Sequence, residues 1–272
     1  MVVGEIKTLI LGAGGMLGTD LRANFPQAIS FTHAELDITD KNAVFSIIER
    51  LRPELVINAA AYAKVDDCED NKELAFSVNG TAPGYIAEAC GRIGSKLVHF
   101  STDCVFSGRR GNYRETDVSD AEDLYGRTKY LGETTGQHCL TLRTSIIGRE
   151  LARKSGLLEW FLAQRGKVKG YTKAVFSGFT TLEMARIIDN VLAIQAPLSG
   201  VYHVSSELIS KFDLLTMIRD ALSLPIEIEP DDEFKCDRSL DSARFRDATG
   251  YRPPAWKTMI EELAQDIRGA GR

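Results

Sequence analysis

The chain has 272 residues, 44% hydrophobic and 26% charged, with a formal net charge of −5. That balance suits one large globular domain, or a large domain with a smaller appendage. It excludes a nucleic-acid surface, because no basic stripe stands out. Five scattered cysteines (Cys68, Cys90, Cys104, Cys139, Cys236) never form a Cys-x-x-Cys pair, so neither a disulfide framework nor a zinc site is expected. No apolar run approaches the ~18 residues of a membrane span, and the first strand-like run follows no signal-type segment. The expectation is a cytoplasmic protein without membrane or nucleic-acid partners; no cluster with metal-ligand spacing stands in the sequence, which leaves metal dependence open.

Residues 6–11 form a β-branched and leucine-rich run ending at Gly12, the pattern of a buried parallel strand. Gly12-Ala13-Gly14-Gly15-Met16-Leu17-Gly18 follows, and a helical pattern from Leu21 to Phe25 stops at Pro26. Residues 28–31 read as a second strand. Thr39 or Asp40 can cap a helix carrying Val44, Ile47, Ile48 and Leu51, which Pro53 ends. Residues 55–57 are a third strand, leading into Asn58-Ala59-Ala60-Ala61-Tyr62. A long helix over residues 69–93 and a strand over 96–100 come next, then a polar loop from Ser101 to Asp120. A helix then carries Tyr125 and Lys129, and residues 140–142 form another strand. Strands alternating with helices predict a doubly wound α/β fold with a parallel sheet, whose ligands bind at the carboxyl ends of the strands. Gly12, Asn58 and Ser101 end strands one, three and four, so their loops should share one crevice.

After Arg143 the rhythm loosens. Thr180-Thr181-Leu182-Glu183 and Ser210-Lys211-Phe212-Asp213 read as capping boxes. Residues 201–203 and 226–228 read as short strands, and residues 256–267 as a closing amphipathic helix. The expected organisation is a dinucleotide-binding Rossmann domain over residues 1–145. A smaller substrate-binding lobe over 146–272 should interleave with it and pack on the sheet.

Gly12-x-x-Gly15-x-x-Gly18 between a strand and a helix is the context for a dinucleotide pyrophosphate. Gly12 would make the tight turn, Gly15 admit the pyrophosphate to the backbone, and Gly18 let the helix pack closely. The tip of strand two reads Phe31-Thr32-His33, with no carboxylate to hold a ribose 2′-hydroxyl and no arginine for a 2′-phosphate. This leans to NADP with NAD tolerated, His33 being a candidate donor. Tyr125 and Lys129, four residues apart, share one helix face. An ammonium there would favour the phenolate, making Tyr125 a proton donor or acceptor, although Tyr-x-x-x-Lys also occurs by chance in surface helices.

Together, the glycine loop, Asn58-Ala59-Ala60 and the Tyr-x-x-x-Lys pair resemble the extended short-chain dehydrogenase/reductase superfamily. The nearest resemblance is to the dTDP-4-dehydrorhamnose reductases. Further matches are Leu36-Asp37-Ile38-Thr39-Asp40, Val65-Asp66, Val78-Asn79, residues 101–108 (Ser-Thr-Asp-Cys-Val-Phe-Ser-Gly), Gly132-Glu133 and Leu142-Arg143-Thr144-Ser145. The resemblance implies a catalytic triad of Thr102, Tyr125 and Lys129. It implies cofactor contacts at Gly12, Gly14, Gly15, Met16, Leu17, Gly18, Asp37, Ile38, Asn58, Ala59, Ala60, Ala61, Ser101, Tyr125 and Lys129. Val65, Asp103, Val105, Phe106 and Trp160 would face the substrate. The implied reaction is NAD(P)H-dependent reduction of the 4-keto group of a nucleotide-linked deoxysugar, with a homodimer left open. The chain departs from the family at Cys104, where a tyrosine is usual, at Ser107 for an aspartate, and at Ala63 for a threonine. The family's Asp-Gln-x-Gly-x-Pro-Thr stretch is replaced by residues 169–178. Rival readings are an epimerase, or a non-catalytic regulatory subunit. Dehydration is disfavoured because Cys104, not a glutamate, follows Asp103.

Overall fold

The computed structural model describes residues 6–150, 156–193 and 198–270. Strands β1 (Thr8–Leu11), β2 (Ile29–Phe31), β3 (Leu55–Asn58), β4 (Lys96–Thr102) and β5 (Cys139–Thr144) alternate with helices. These are α1 (Met16–Asn24), α2 (Lys41–Leu51), α3 (Val65–Asp70), α4 (Lys72–Ala75), α5 (Ala82–Ile93) and α6 (Leu124–Leu131). The chain continues through β6 (Ile146–Ile147), α7 (Leu157–Ala163), β7 (Gly166–Phe176), β8 (Phe179–Thr180) and α8 (Thr181–Ala193). It ends with β9 (Gly200–His203), β10 (Ile209–Ser210), α9 (Lys211–Leu222), β11 (Ile226–Asp237), α10 (Ala243–Thr249) and α11 (Trp256–Ala270).

The main sheet is parallel, with six strands in the order β2-β1-β3-β4-β5-β9. Its central strands β1 and β3 are buried along their whole length, as helices on both faces require. One core holds Ile10, Leu21, Ile57, Leu142, Phe179 and Leu263; the other holds Leu9, Leu11, Val44, Val56, Ile86 and Leu97. Successive residues of one strand thus point into opposite layers. The sixth strand, β9, comes from beyond residue 145, so the second half of the chain is woven into the sheet. That half also forms a separate sheet of order β10-β7-β11. Among the described residues no helix is long and apolar enough to cross a membrane.

Local chemistry sets the helix ends. Asp40, not Thr39, caps α2 by accepting from the Ala43 amide at 3.0 Å. Ser210 and Asp213 exchange hydrogen bonds at the start of α9, and Thr180 accepts from the Glu183 amide. The long helix expected over residues 69–93 is instead three pieces: α3 and α4 meet at Asn71, and a π-helical turn (Phe76–Thr81) leads into α5. The wider turn carries Asn79, 1% exposed, whose side chain bonds the Tyr62 amide (2.8 Å), the Tyr62 carbonyl (3.0 Å) and Thr128 Oγ1 (3.3 Å). Asn79 thereby ties the loop after β3 to α6 and satisfies the Tyr62 amide.

Candidate active site

Parallel strands β1, β3 and β4 lie side by side, so the loops that follow them open at one edge of the sheet. Gly12 has φ +80°, and a Cβ there would sit 2.5 Å from the Ala60 amide nitrogen. Any side chain at Gly18 would overlap the Gly12 carbonyl oxygen. The loop therefore closes against Ala59 and Ala60 only as glycine, and α1 can start this near only through Gly18. Gly14 and Gly15 are exposed, Met16 is half-buried and Leu17 is buried. No side chain caps α1, so its first-turn N–H groups are available to an anion. These features suit a dinucleotide pyrophosphate.

Asn58 is fully buried between β3 and its loop. Its Oδ1 accepts from the Ala60 amide at 3.1 Å, and its Nδ2 lies 3.1 Å from His99 Nδ1. Asn58 thus shapes the backbone of Ala59, Ala60 and Ala61, which are half-buried on the crevice side. Asp37 is exposed and Ile38 is buried in the core. One Asp37 oxygen accepts from both the amide and the hydroxyl of Thr39, and the first of these bonds holds its pKa down.

A carboxylate missed in the sequence stands at the tip of β2. Glu35 turns back so that Oε2 accepts from the Thr32 amide and hydroxyl, both at 2.8 Å, and these bonds lower its pKa. The methyl of Thr32 lies against Gly14. The expectation of a tip without a carboxylate is therefore corrected. The available signal was the Thr-x-x-Glu spacing, which is a capping pattern.

At the end of β4, Thr102 Oγ1 accepts from the Cys104 amide (3.1 Å) and donates to Asp103 Oδ1 (3.2 Å), beside the Tyr125 phenol. Asp123 caps α6 by accepting from the Gly126 amide at 2.7 Å. A side chain at Gly126 would overlap the Cys104 carbonyl oxygen. That close approach brings Tyr125 onto Thr102. Lys129 is 2% exposed and donates from Nζ to the Phe100 carbonyl at 2.6 Å.

The electrostatics differ from the expectation. Burial, with Cys104 and Asp103 adding to it, raises the Tyr125 pKa above its ordinary value. The phenol therefore stays protonated at neutral pH, and Lys129 does not lower it. Burial instead pulls Lys129 down to about 8, with Glu133 opposing. The Cys104 thiol, pushed up to about 12 by burial, is no nucleophile.

Asp103 is buried beside Thr102, and desolvation raises its pKa against the pull of Arg238 and Lys211. Arg238 donates to Cys104 Sγ (3.1 Å) and Asp123 Oδ2 (3.3 Å), tying the end of β11 to the Tyr125 helix. Val105 and Phe106, expected to face the substrate, are fully buried; Phe106 stacks on Tyr113 at 4.2 Å. They form the floor beneath the site and have no surface to offer a ligand. Val65 opens α3 and is 37% exposed; Trp160 is 42% exposed on α7, whose capping Gly156 faces the Met16 side chain. Ser101 is buried, and its hydroxyl is spent on Glu133 at 2.7 Å.

A model of the RmlD substrate binding domain matches residues 6–268. A dTDP-4-dehydrorhamnose reductase of Aggregatibacter actinomycetemcomitans is 30% identical over 94% of this chain and 98% of its own length. A solved structure titled hypothetical dTDP-4-dehydrorhamnose reductase, from Sulfolobus tokodaii, is 32% identical with TM-score 0.80, covering 92% of this chain and 98% of that one. The dTDP-4-dehydrorhamnose reductase of Bacillus anthracis, solved with NADP, shares the fold at TM-score 0.86 and 24% identity, covering 96% and 99%. With the glycine loop and the Thr102–Tyr125–Lys129 cluster at one sheet edge, the chain belongs to the dTDP-4-dehydrorhamnose reductase family of NAD(P)-dependent oxidoreductases.

Proposed function

We propose that the protein reduces the 4-keto group of a nucleotide-linked deoxysugar, with Tyr125 as the proton donor. The observation that carries this reading is Thr102 beside the Tyr125 phenol, with the buried Lys129 one helical turn further on and a glycine loop fit for a dinucleotide at the same sheet edge. When bound, the nicotinamide cofactor supplies the hydride. The chain holds the ketone oxygen between the Thr102 hydroxyl and the Tyr125 phenol, and delivers the phenolic proton as negative charge builds on that oxygen. The raised Tyr125 pKa suits this role, since only a protonated phenol can donate. Lys129, one helical turn from Tyr125, would bond the nicotinamide ribose.

Gly12, Gly14, Gly15, Met16, Leu17, Gly18, Asn58 and Ala59 to Ala61 line the cofactor side of this reading. Glu35 favours NAD, because its carboxylate would accept from a ribose 2′-hydroxyl and repel a 2′-phosphate. Asp103, Val65 and Trp160 are the candidates for the sugar and nucleotide side. A purely regulatory role does not require Thr102, Tyr125 and Lys129 together. A cytoplasmic homodimer fits the same reading, with Leu74, Phe76, Tyr130 and Leu131 as exposed apolar surface available to it.

The test is loss of reduced-nicotinamide absorbance with dTDP-4-dehydrorhamnose and NADH or NADPH. Tyr125→Phe should lower kcat by at least about 100-fold while the cofactor Kd stays within about twofold. Unchanged turnover in that variant refutes the tyrosine's role. A wild-type protein that reduces no nucleotide 4-ketosugar favours the regulatory reading.

A further inference from the structure

The sheet register places three polar residues in one row: Ser101 of β4 pairs with Arg143 of β5, which pairs with His203 of β9. All three are buried. Glu133, just past the end of α6 and 6% exposed in its side chain, completes the row. Its Oε1 accepts from Ser101 Oγ (2.7 Å) and Arg143 Nε (2.7 Å), and its Oε2 from Arg143 Nη2 (2.8 Å). Arg143 Nη1 reaches His203 Nε2 at 3.2 Å, and His203 Nδ1 lies 3.0 Å from the Tyr113 carbonyl.

Lys129 and Glu133 stand four residues apart and hold two successive residues of β4. The lysine takes the Phe100 carbonyl and the glutamate takes the Ser101 hydroxyl; the next residue is Thr102. We propose that Glu133 is a positioning residue for the reduction: it fixes β4 directly before Thr102 and carries a buried negative charge one helical turn beyond Lys129. This rests on the reductase reading of the Thr102–Tyr125–Lys129 site.

The charged and titratable groups around Lys129 support that assignment. Glu133 is the group that raises the lysine pKa against burial. From β4, His99 is buried and held neutral by desolvation and by the lysine itself. From β5, Arg143 is committed to Glu133. From the turn after β4, Asp103 and Cys104 face Tyr125, and from α3 Cys68 faces Tyr125 while Glu69 accepts from the Leu124 amide. The π-helical turn brings the neutral Asn79 to Thr128. Without the Glu133 charge, burial acts on Lys129 unopposed, and a neutral amine donates less strongly to a ribose than an ammonium does.

The experiment compares wild type, Glu133→Gln, Glu133→Asp and the double variant Glu133→Gln/Arg143→Gln. Glu133→Gln strands a buried guanidinium and can unfold the chain; the double variant removes both charges and keeps the question answerable. In each folded protein, kcat with dTDP-4-dehydrorhamnose and the Kd for NADH are followed from pH 6 to pH 9.5. For wild type, Lys129 sets an alkaline midpoint near 8. Loss of the Glu133 charge should move it down by at least one pH unit, so that kcat falls about fivefold at pH 8 and hardly changes at pH 6. Glu133→Asp, which keeps the charge, should restore the midpoint in part. A double variant whose kcat and NADH midpoints both match wild type overturns the proposal. Wild type that binds NADH but turns over no ketosugar sinks the reductase reading instead, and the NADH midpoints then decide the Glu133 proposal alone.

Discussion

Acid should destabilise this protein through His203, and the size of the effect can be worked from the structure. The imidazole is fully buried, with Nδ1 against the Tyr113 carbonyl and Nε2 against Arg143 Nη1. Nδ1–H donates to the carbonyl and Nε2 accepts from the guanidinium, so the ring must be neutral. Burial first, and Arg143 second, lower its pKa from 6.5 to about 4. A group with a depressed basic pKa gives its full stabilisation above the unfolded value of 6.5. That stabilisation is lost as pH falls, because the unfolded chain takes up the proton first. The gap down to about 4 is worth roughly 3 kcal/mol at about 1.36 kcal/mol per pH unit.

The assay is urea unfolding at intervals between pH 7.5 and pH 4, comparing wild type with His203→Gln, which keeps a donor and an acceptor but cannot titrate. The variant starts less stable at pH 7.5, having lost a well-packed ring, and should then lose about 2–3 kcal/mol less than wild type on the way to pH 4. His99 has the same sign, is also fully buried, and is present in both proteins, so it cancels in the comparison. Parallel curves for the two proteins would refute the reasoning.

Two further predictions concern the crevice. Replacing Glu35 by Ser removes a carboxylate at the tip of β2, and the NADPH Kd should fall about tenfold relative to that of NADH, since like charges there cost on the order of 1–2 kcal/mol; fluorescence titration with both cofactors measures it, and an unchanged ratio discards the role given to Glu35. Gly126→Ala puts a methyl onto the Cys104 carbonyl oxygen, so the Tyr125 helix must shift, and kcat should drop at least about tenfold with a smaller change in NADH affinity; wild-type kcat would show that the helix has slack.

Much of the main sheet was legible because parallel buried strands are written as short apolar runs between turn residues, as in Leu55-Val56-Ile57 and Leu97-Val98. The glycine loop was legible for the same reason: Gly12 and Gly18 answer a local steric demand. The π-helical turn at Phe76–Thr81 was not, since one extra residue per turn hardly changes the apolar spacing that announces a helix. β7 escaped because three of its four buried positions, Val168, Gly170 and Ala174, are small and interleaved with Lys169 and Lys173, leaving Phe176 as its one large apolar marker. Glu35 bonds across a bend that exists only once β2 is built. Glu133 and Arg143 stood in the matched stretches, yet their joint role depends on strand register, which brings together groups 10 to 60 residues apart. The pKa of Tyr125 failed for a related reason: helical spacing shows that a lysine is near, but not that burial outweighs it.

The second sheet has an outcome for how the molecule behaves among its own copies. Among the described residues β11 is an edge strand of this sheet, closed at its end where the Asp237 amide donates to the Gly108 carbonyl, and the rest is backbone of the kind that another chain can extend. Glu227, Glu229, Asp231 and Asp232 project from it and meet Lys167, Lys169 and Lys173 of the neighbouring strand. The pairs of Glu227, Glu229 and Asp232 are exposed and add little to stability. Their acidic side, though, marks the free border with one sign of charge, so two such borders brought together repel. Shielding by salt weakens that repulsion, and concentrated protein in high salt is where strand-to-strand association would begin.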